Sequence, residues 1–412
     1  MMQKAGRITA GLLILAVGAA LFLGETAGKD YIREWIKYWP VLLIVLGVEY
    51  LILNGVAQAK NRQLRLDMGV LMLSVVVSLG VILFVQGAAS LGGARISWVF
   101  DWGEERERLA KQPIMLDWDD SIRGMRVENP VGDVVVMADD TIEPQIQVTV
   151  GVNTGDKEKA AKIAEESKVY VERGETLNIR AEGTKYRNWW WFVNNARMDL
   201  VIIVPTSALD RLELELLDGD VTVTDVTLSG RGSLRTTNGD IRLTRVGAAD
   251  RLRAETVSGD IVANSLKGPT ELDTKNGDIQ VSGAASKVQA TTLNGEITLK
   301  DIDGDALADT LNGDVRLTNA GKLVKAGTKN GEIIAESRLV GGDWTLDTMN
   351  GDVLLKLPRS GHYEVEGTSR FGDVSSGLEL NVDRQKIAGR IGSGTYKVKV
   401  ASGGDIQISA LE

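Results

Sequence analysis

TTLNGEITLKDIDGDALADTLNGDVRL, residues 291–317, holds TLNGE and then TLNGD one period of 18 residues later. The same six-residue phrase runs through the second half of the chain. LLDGDV, TTNGDI, TVSGDI, TKNGDI, TLNGEI, TLNGDV, TKNGEI and TMNGDV place its glycine at Gly219, Gly239, Gly259, Gly277, Gly295, Gly313, Gly331 and Gly351, and a weaker FGDV follows at Gly372. The first eight are spaced by 18 or 20 residues. A fixed period of this length marks a repeat architecture. Two residues after the glycine stands Val or Ile, from Val221 to Val353, and four after it Leu, Val or Ala. Five before it stands Leu or Ala, and three before it Thr, from Thr236 onward. Apolar residues at alternate places on both sides of a turn predict two half-buried strands per unit.

Asn-Gly between alternating strands also signals an antiparallel hairpin, so a meander or propeller competes as the architecture. Eight hairpins would need a sheet of about sixteen strands, past the roughly ten at which open sheets curl or split. A solenoid instead stacks near-identical units about 4.8 Å apart, which keeps matching residues in columns. The expected fold is an all-β solenoid, a parallel β-helix with coils of 18–20 residues.

In that fold Asn-Gly-acid is a corner. Gly239, Gly259, Gly277, Gly295, Gly313, Gly331 and Gly351 are expected to supply a positive φ, which Asn also tolerates. The acids that follow, Asp220, Asp240, Asp260, Asp278, Glu296, Asp314, Glu332 and Asp352, are expected to point outward, and the buried Thr column to hydrogen-bond along the stack. A row of carboxylates could also attract Ca²⁺. The calcium-binding nonapeptide repeat, however, needs a second glycine and a shorter period, and both are missing. A β-helix enzyme that degrades polysaccharide would need a few converging carboxylates or a base. Here the acids form a regular row, and the single histidine, His362, sits in the strand-like SGHYEVEG. No GxSxG, HExxH or P-loop occurs. No catalytic, metal-binding or cofactor-binding residue is assigned, and no enzyme is expected.

The 412 residues contain no Cys, so neither a disulfide framework nor thiol chemistry is available. A net charge of −9 argues against a nucleic-acid partner. The mean hydropathy near zero hides a division between an apolar front and a polar remainder rich in Gly, Thr and Asp. Residues 1–94 read as a membrane region with three helical spans at about 8–24, 38–59 and 68–90. Trp35, Tyr38 and Trp39 suit an interfacial belt before the second span. Lys4, Arg7, Lys60, Arg62 and Arg65 outnumber Lys29, Arg33 and Lys37, which predicts a cytoplasmic N-terminus and everything after the third span outside. Glu49 falls within the second span, where a carboxyl usually faces a helix bundle or a partner.

Residues 95–120 read as a linker and 121–412 as the repeat domain. MRVENPVGDVVVMAD carries a corner of the same kind at Gly132, and PQIQVTVGV, KVYVERGETLNIRAE and MDLVIIVP read as further strands. An Ala-, Glu- and Lys-rich helix is inserted near 156–168. KYRNWWWFVNN, near 186–195, sets Trp189, Trp190, Trp191 and Phe192 together. Such a cluster marks a partner, glycan or membrane surface if exposed, or a loop that shields an open sheet edge.

From about Ser121 to the end, VENPVGDVVV, LVIIVP and the repeated T-x-N-G-[DE]-[IV] resemble the bacterial candidate-adhesin β-strand-repeat domain of unknown function. YWPVLLIVLG resembles the membrane region of Lia-type envelope-stress proteins. The resemblance implies a right-handed β-helix in a cell-envelope setting, and it supplies no catalytic residues. The expected function is a non-enzymatic, multi-pass membrane-anchored protein whose extracytoplasmic domain binds or senses envelope components or modulates a stress-signalling partner. The expected partners are the membrane and another membrane protein or envelope polymer. A self-assembling adhesin or scaffold is the alternative.

Overall fold

The computed structural model describes residues 107–119, 121–187, 193–206 and 209–411, with a few isolated positions before residue 107. It divides into two units, Met1–Glu104 and Glu105–Glu412.

The second unit is built from two long sheets of 15 and 16 strands, here sheet one and sheet two. Each repeat gives one strand to each sheet. Val288–Asn294 lies in sheet two, the chain turns at Gly295, and Ile297–Ile302 lies in sheet one. The strands on either side of Asn-Gly therefore belong to different sheets, and the antiparallel meander is ruled out. Coils stack in parallel and in register: Ile279 pairs with Ile297 and Ile297 with Val315, while Thr274 pairs with Thr292 and Thr292 with Thr310. The inward columns form one continuous core, in which Ile279, Ile297, Leu299 and Val315 are fully buried. Burying each such side chain stabilises the fold by about 1.5–3 kcal/mol relative to leaving it exposed.

A second corner has no counterpart in the sequence reading. Six residues after the glycine, Asp225, Arg245, Ser265, Asp301 and Asn319 adopt φ between 54° and 60°, and Gly283 takes 79°. Each kink turns the next side chain inward, so Val226, Val246, Leu266, Ala284, Ile302 and Ala320 make a further buried column. Side-chain bonds along the axis hold this corner, including Arg245 with Asp225 and Asn319 Nδ2 donating to Asp301 Oδ1 at 2.8 Å.

Chain order and stacking order part company at both ends. Gly124–Val131 pairs with Leu209–Asp218, while the residues between them go outward and form the end of the stack. There Thr176–Glu182 pairs in parallel with Gly124–Val131, and Arg197–Val204 with Val134–Ala138. Lys168–Glu172 and Gln145–Val152 then close the end as antiparallel strands. Helix α1, Lys157–Glu166, buries Ala160, Ile163 and Ala164; its N-cap Asp156 accepts from the N–H groups of Glu158 and Lys159. Two short strands, Glu107–Ala110 and Ile114–Met115, occur within the stretch expected as linker and pair with Gln145–Val152. At the far end, Tyr396–Ser402 pairs with Trp344–Asn350 on one side and with Tyr363–Ser369 on the other. The last coil of the chain is thus inserted beneath the Gly372 coil.

Nearly all of the three expected spans lie outside the described residues, and no described helix is long and apolar enough to cross a membrane. Among the described positions of the first unit, Ile14, Val48, Leu51 and Met72 are exposed while Glu49 is 7% exposed on helical backbone. Gln3–Ala5 pairs in parallel with Leu64–Leu66.

Candidate binding site

The corner is the natural place to look for chemistry, and its residues turn out to bond one another along the axis. Gly295 has φ +157°, and a Cβ placed there would lie 2.0 Å from the carbonyl oxygen of Gly277. Both the backbone conformation and the close stacking require glycine. The Thr column does bond along the stack, and its acceptors are glycine carbonyls one coil back. Thr292 Oγ1 donates to Gly277 O at 3.0 Å and Thr310 Oγ1 to Gly295 O at 3.1 Å. Outside the corner, Asn294, Asn312, Asn330 and Asn350 each donate Nδ2 to the Asn Oδ1 one coil back, at 2.7–2.9 Å.

The acids are exposed or half-exposed, and most of them also bond along the axis. Asp220, Asp240, Asp260 and Asp278 each turn Oδ1 along the axis to accept the backbone N–H of the next corner acid, at 2.8–2.9 Å. Asp314 does the same for Glu332. An aspartate reaches because its carboxyl is one methylene from Cα; a glutamate overshoots. Glu296 instead pairs with Arg316 and accepts from Thr298 Oγ1 at 2.9 Å. The bond from Arg316 holds the Glu296 carboxyl below the ordinary glutamate range, against a smaller opposing cost of burial. Arg242 bridges Asp220 and Asp240. The row is a scaffold of hydrogen bonds and ion pairs. His362 is exposed, and its Nδ1 lies 3.1 Å from Ser393 Oγ. Among the described residues no three acids or histidines converge as metal ligands.

Concave, chemically mixed surface occurs at the end of the stack formed by residues 107–204. Lys185–Arg187 and Val193–Asn195 pair antiparallel, so these strands flank the aromatic segment. The pair is fixed to the body of the domain: Tyr186 is buried, and its hydroxyl accepts the N–H of Asn153 at 2.8 Å. Ala196 N–H donates to Thr184 O, and Thr184 N–H to Ser167 Oγ at the end of α1. Beside them lies a cleft of about 600 Å³ whose walls include Pro130, Val131, Lys168, Tyr170, Thr184 and Asn195. Tyr170 is 42% exposed, with the Arg180 guanidinium 5.5 Å from its ring centre. Asn129, also in the wall, donates Nδ2 to Met198 O at 2.7 Å and to Gly132 O at 3.0 Å, leaving its buried Oδ1 without a partner. The cleft combines an aromatic face, the cations of Lys168 and Lys185, the carboxylates of Glu166 and Glu182, and amide groups, which suits a ligand with both apolar and polar surface.

Trp189, Trp190, Trp191 and Phe192 themselves lie outside the described residues. Glu49 is in the first unit. Asn129 and Tyr170 were not singled out by sequence. Asn129 could have been: it stands three residues before Gly132, in the Thr column of the corner, and replaces the hydroxyl with an amide.

A family described as Toastrack DUF4097 matches residues 123–322 and 306–409, well over half the chain. A LiaI-LiaF-like transmembrane region matches residues 8–51. Among solved structures, a candidate adhesin from Bacteroides fragilis NCTC 9343 is 15% identical over 74% of this chain and 98% of its own, with a TM-score of 0.33. A candidate lipid-binding protein from Parabacteroides distasonis ATCC 8503 is 15% identical over 60% of this chain and 96% of its own, with a TM-score of 0.37. No curated protein matches.

Proposed function

Since this chain belongs to the Toastrack DUF4097 family, with a LiaI-LiaF-like transmembrane region before the repeat domain, we propose that it is a membrane-anchored, non-enzymatic receptor or modulator of the cell envelope. It carries its recognition site at the end of the solenoid beside the 188–192 segment. The observation that carries this reading is the rigid frame around the aromatic residues: two strands locked through Tyr186 and Thr184, next to a cleft of about 600 Å³. Non-enzymatic action is supported by the corner acids, whose carboxylates are engaged by backbone amides and arginines. A right-handed winding is expected on general grounds of chain chirality.

Anchoring by three spans is supported by the inverted burial of the first unit, with apolar Val48 and Leu51 outward and the Glu49 carboxyl inward, as a lipid-facing helix requires. The parallel pairing of Gln3–Ala5 with Leu64–Leu66 fits two crossings between them, which return the chain to its starting side. With a cytoplasmic N-terminus, the repeat domain is then extracytoplasmic.

The test places a photo-crosslinking residue at Trp190 of the full-length protein in intact cells. Crosslinks to a membrane protein or envelope polymer are expected, and they should fall sharply when Tyr186→Ala loosens the frame. Crosslinks only to other copies would favour the self-assembling scaffold instead.

A further inference from the structure

A second cleft, of about 700 Å³, opens on the outer face of sheet two, and its walls include Thr176, Arg211, Ser229, Gly230, Arg231 and Asp250. Arg211 and Arg231 are direct register partners on adjacent coils, and Arg231 is likewise the partner of Arg251. Three guanidinium groups therefore follow one another down one column. Like charges directly opposite on neighbouring strands repel.

Elsewhere on this face the like-charged register partners Glu128 and Glu215, and Glu255 and Asp273, each share an arginine between them. Arg126 lies among Glu128, Glu213 and Glu215, and Arg253 among Glu255, Glu271 and Asp273. Arg251 reaches Glu271 at 3.5 Å, and Arg123 reaches Asp210 at 3.2 Å. Among the described residues, Arg211 and Arg231 have no carboxylate within ion-pair distance. Opposite Arg211 stands Gly124, and Thr176 continues that row, its Oγ1 3.1 Å from where a Cβ on Gly124 would lie.

We propose that this cleft binds a phosphoryl group held between Arg211 and Arg231. Strands about 4.8 Å apart set the two planar forks side by side, and a tetrahedral oxyanion can offer each fork its own oxygens. A phosphoryl group offers three such oxygens where a carboxylate offers two. The lining also holds Glu175, Asp250 and Asp210, the last engaged by Arg123, and these carboxylates suit one anionic group and disfavour a long polyanion. The site is separate from the cleft beside the aromatic segment and does not depend on the function assigned there.

The experiment titrates the full-length chain in dodecyl maltoside, at fixed ionic strength, with inorganic phosphate replacing chloride. A second arm uses micelles containing phosphatidylglycerol. Saturable binding is expected. Arg211→Gln and Arg231→Gln should each weaken it about tenfold, the loss of one charge-assisted contact, while Arg251→Gln should change it less than about twofold. Without phosphate, Arg231→Gln should melt no lower than the unaltered protein, because a like-charge contact has been removed. Saturation in the first arm assigns free phosphate as sufficient, and saturation only in the second assigns a lipid headgroup; both support the proposal. No saturable binding in either arm, an equal loss in Arg251→Gln, or a lower melting temperature for unliganded Arg231→Gln would overturn it.

Discussion

Exchanging the acids of two adjacent corners tests whether their carboxylates hold the stack together. Asp278 Oδ1 accepts the N–H of Glu296 at 2.8 Å. Asp278→Glu moves the carboxylate one methylene outward and leaves that amide without its acceptor. Hydrogen bonds to charged groups contribute about 1.5–3 kcal/mol, so a loss of about 2 kcal/mol is expected. The reciprocal change, Glu296→Asp, brings a carboxylate within reach of the Asp314 N–H, which the present ladder skips. It also removes the Glu296 contacts with Arg316 and Thr298. That ion pair is well exposed and worth about 0–1 kcal/mol, so the net should be a gain of about 1 kcal/mol. Thermal unfolding of the full-length protein, followed by far-ultraviolet circular dichroism, reads both. At roughly 2–4 °C per kcal/mol, or less for so long a domain, the two variants should move in opposite directions by a few degrees. Shifts of the same sign, or an Asp278→Glu variant that melts with the parent, would refute the ladder as a source of stability.

Other outcomes follow from the same geometry. Ile297→Asp puts an unpaired charge into the core and should cost several kcal/mol, whereas Thr298→Asp faces outward beside Arg316 and should be nearly neutral; their urea midpoints should separate widely. Burial pushes the Tyr363 phenol up to about 12. Because the folded value lies above the unfolded one of about 10, this contribution is complete below pH 10 and is lost as pH rises towards 12; it is on the order of 2 kcal/mol. Tyr363→Phe should flatten that alkaline limb of a stability–pH curve, and an unchanged limb would count against it. Single cysteines at Asn381 and Asn61 should react oppositely with an impermeant maleimide on intact cells, with only Asn381→Cys labelled; the reverse would invert the topology. Added Ca²⁺ should leave the melting temperature unmoved, and a rise abolished by Glu296→Gln would restore the metal reading of the corner.

The glycine corner was legible because one residue type recurs in one column, and period-two alternation on either side named the buried faces. The corner six residues later was not. Asp225, Arg245, Ser265, Gly283, Asp301 and Asn319 share a backbone conformation and no side chain, so their column looks like an ordinary polar surface. That the aspartates bond to the coil beyond was hidden for a related reason. Alternation says which side of a strand a residue occupies, but a corner residue lies on neither face, and only stacking shows that an aspartate can reach the amide one coil away. Stacking order at the ends was hidden as well. ASGGDIQI, with Gly404 and Asp405, does resemble the repeat phrase, and Asp405 N–H donates to Asp352 Oδ1 like any corner acid. Nothing in the spacing tells that this coil rests on the Gly351 coil. Of the candidate site, the aromatic cluster was visible at once, while its neighbouring cleft depends on strands that meet only after the chain has gone outward and returned.

That last coil has a consequence for how the domain is made. A simple solenoid could grow as it emerges, each new turn templated by the one before it. Here a later segment, Tyr396–Leu411, is the keystone between two turns made earlier. The Gly372 turn therefore has no finished surface to rest on until Tyr396–Leu411 has emerged and docked. A product truncated before Tyr396 would lack an interior course of its wall.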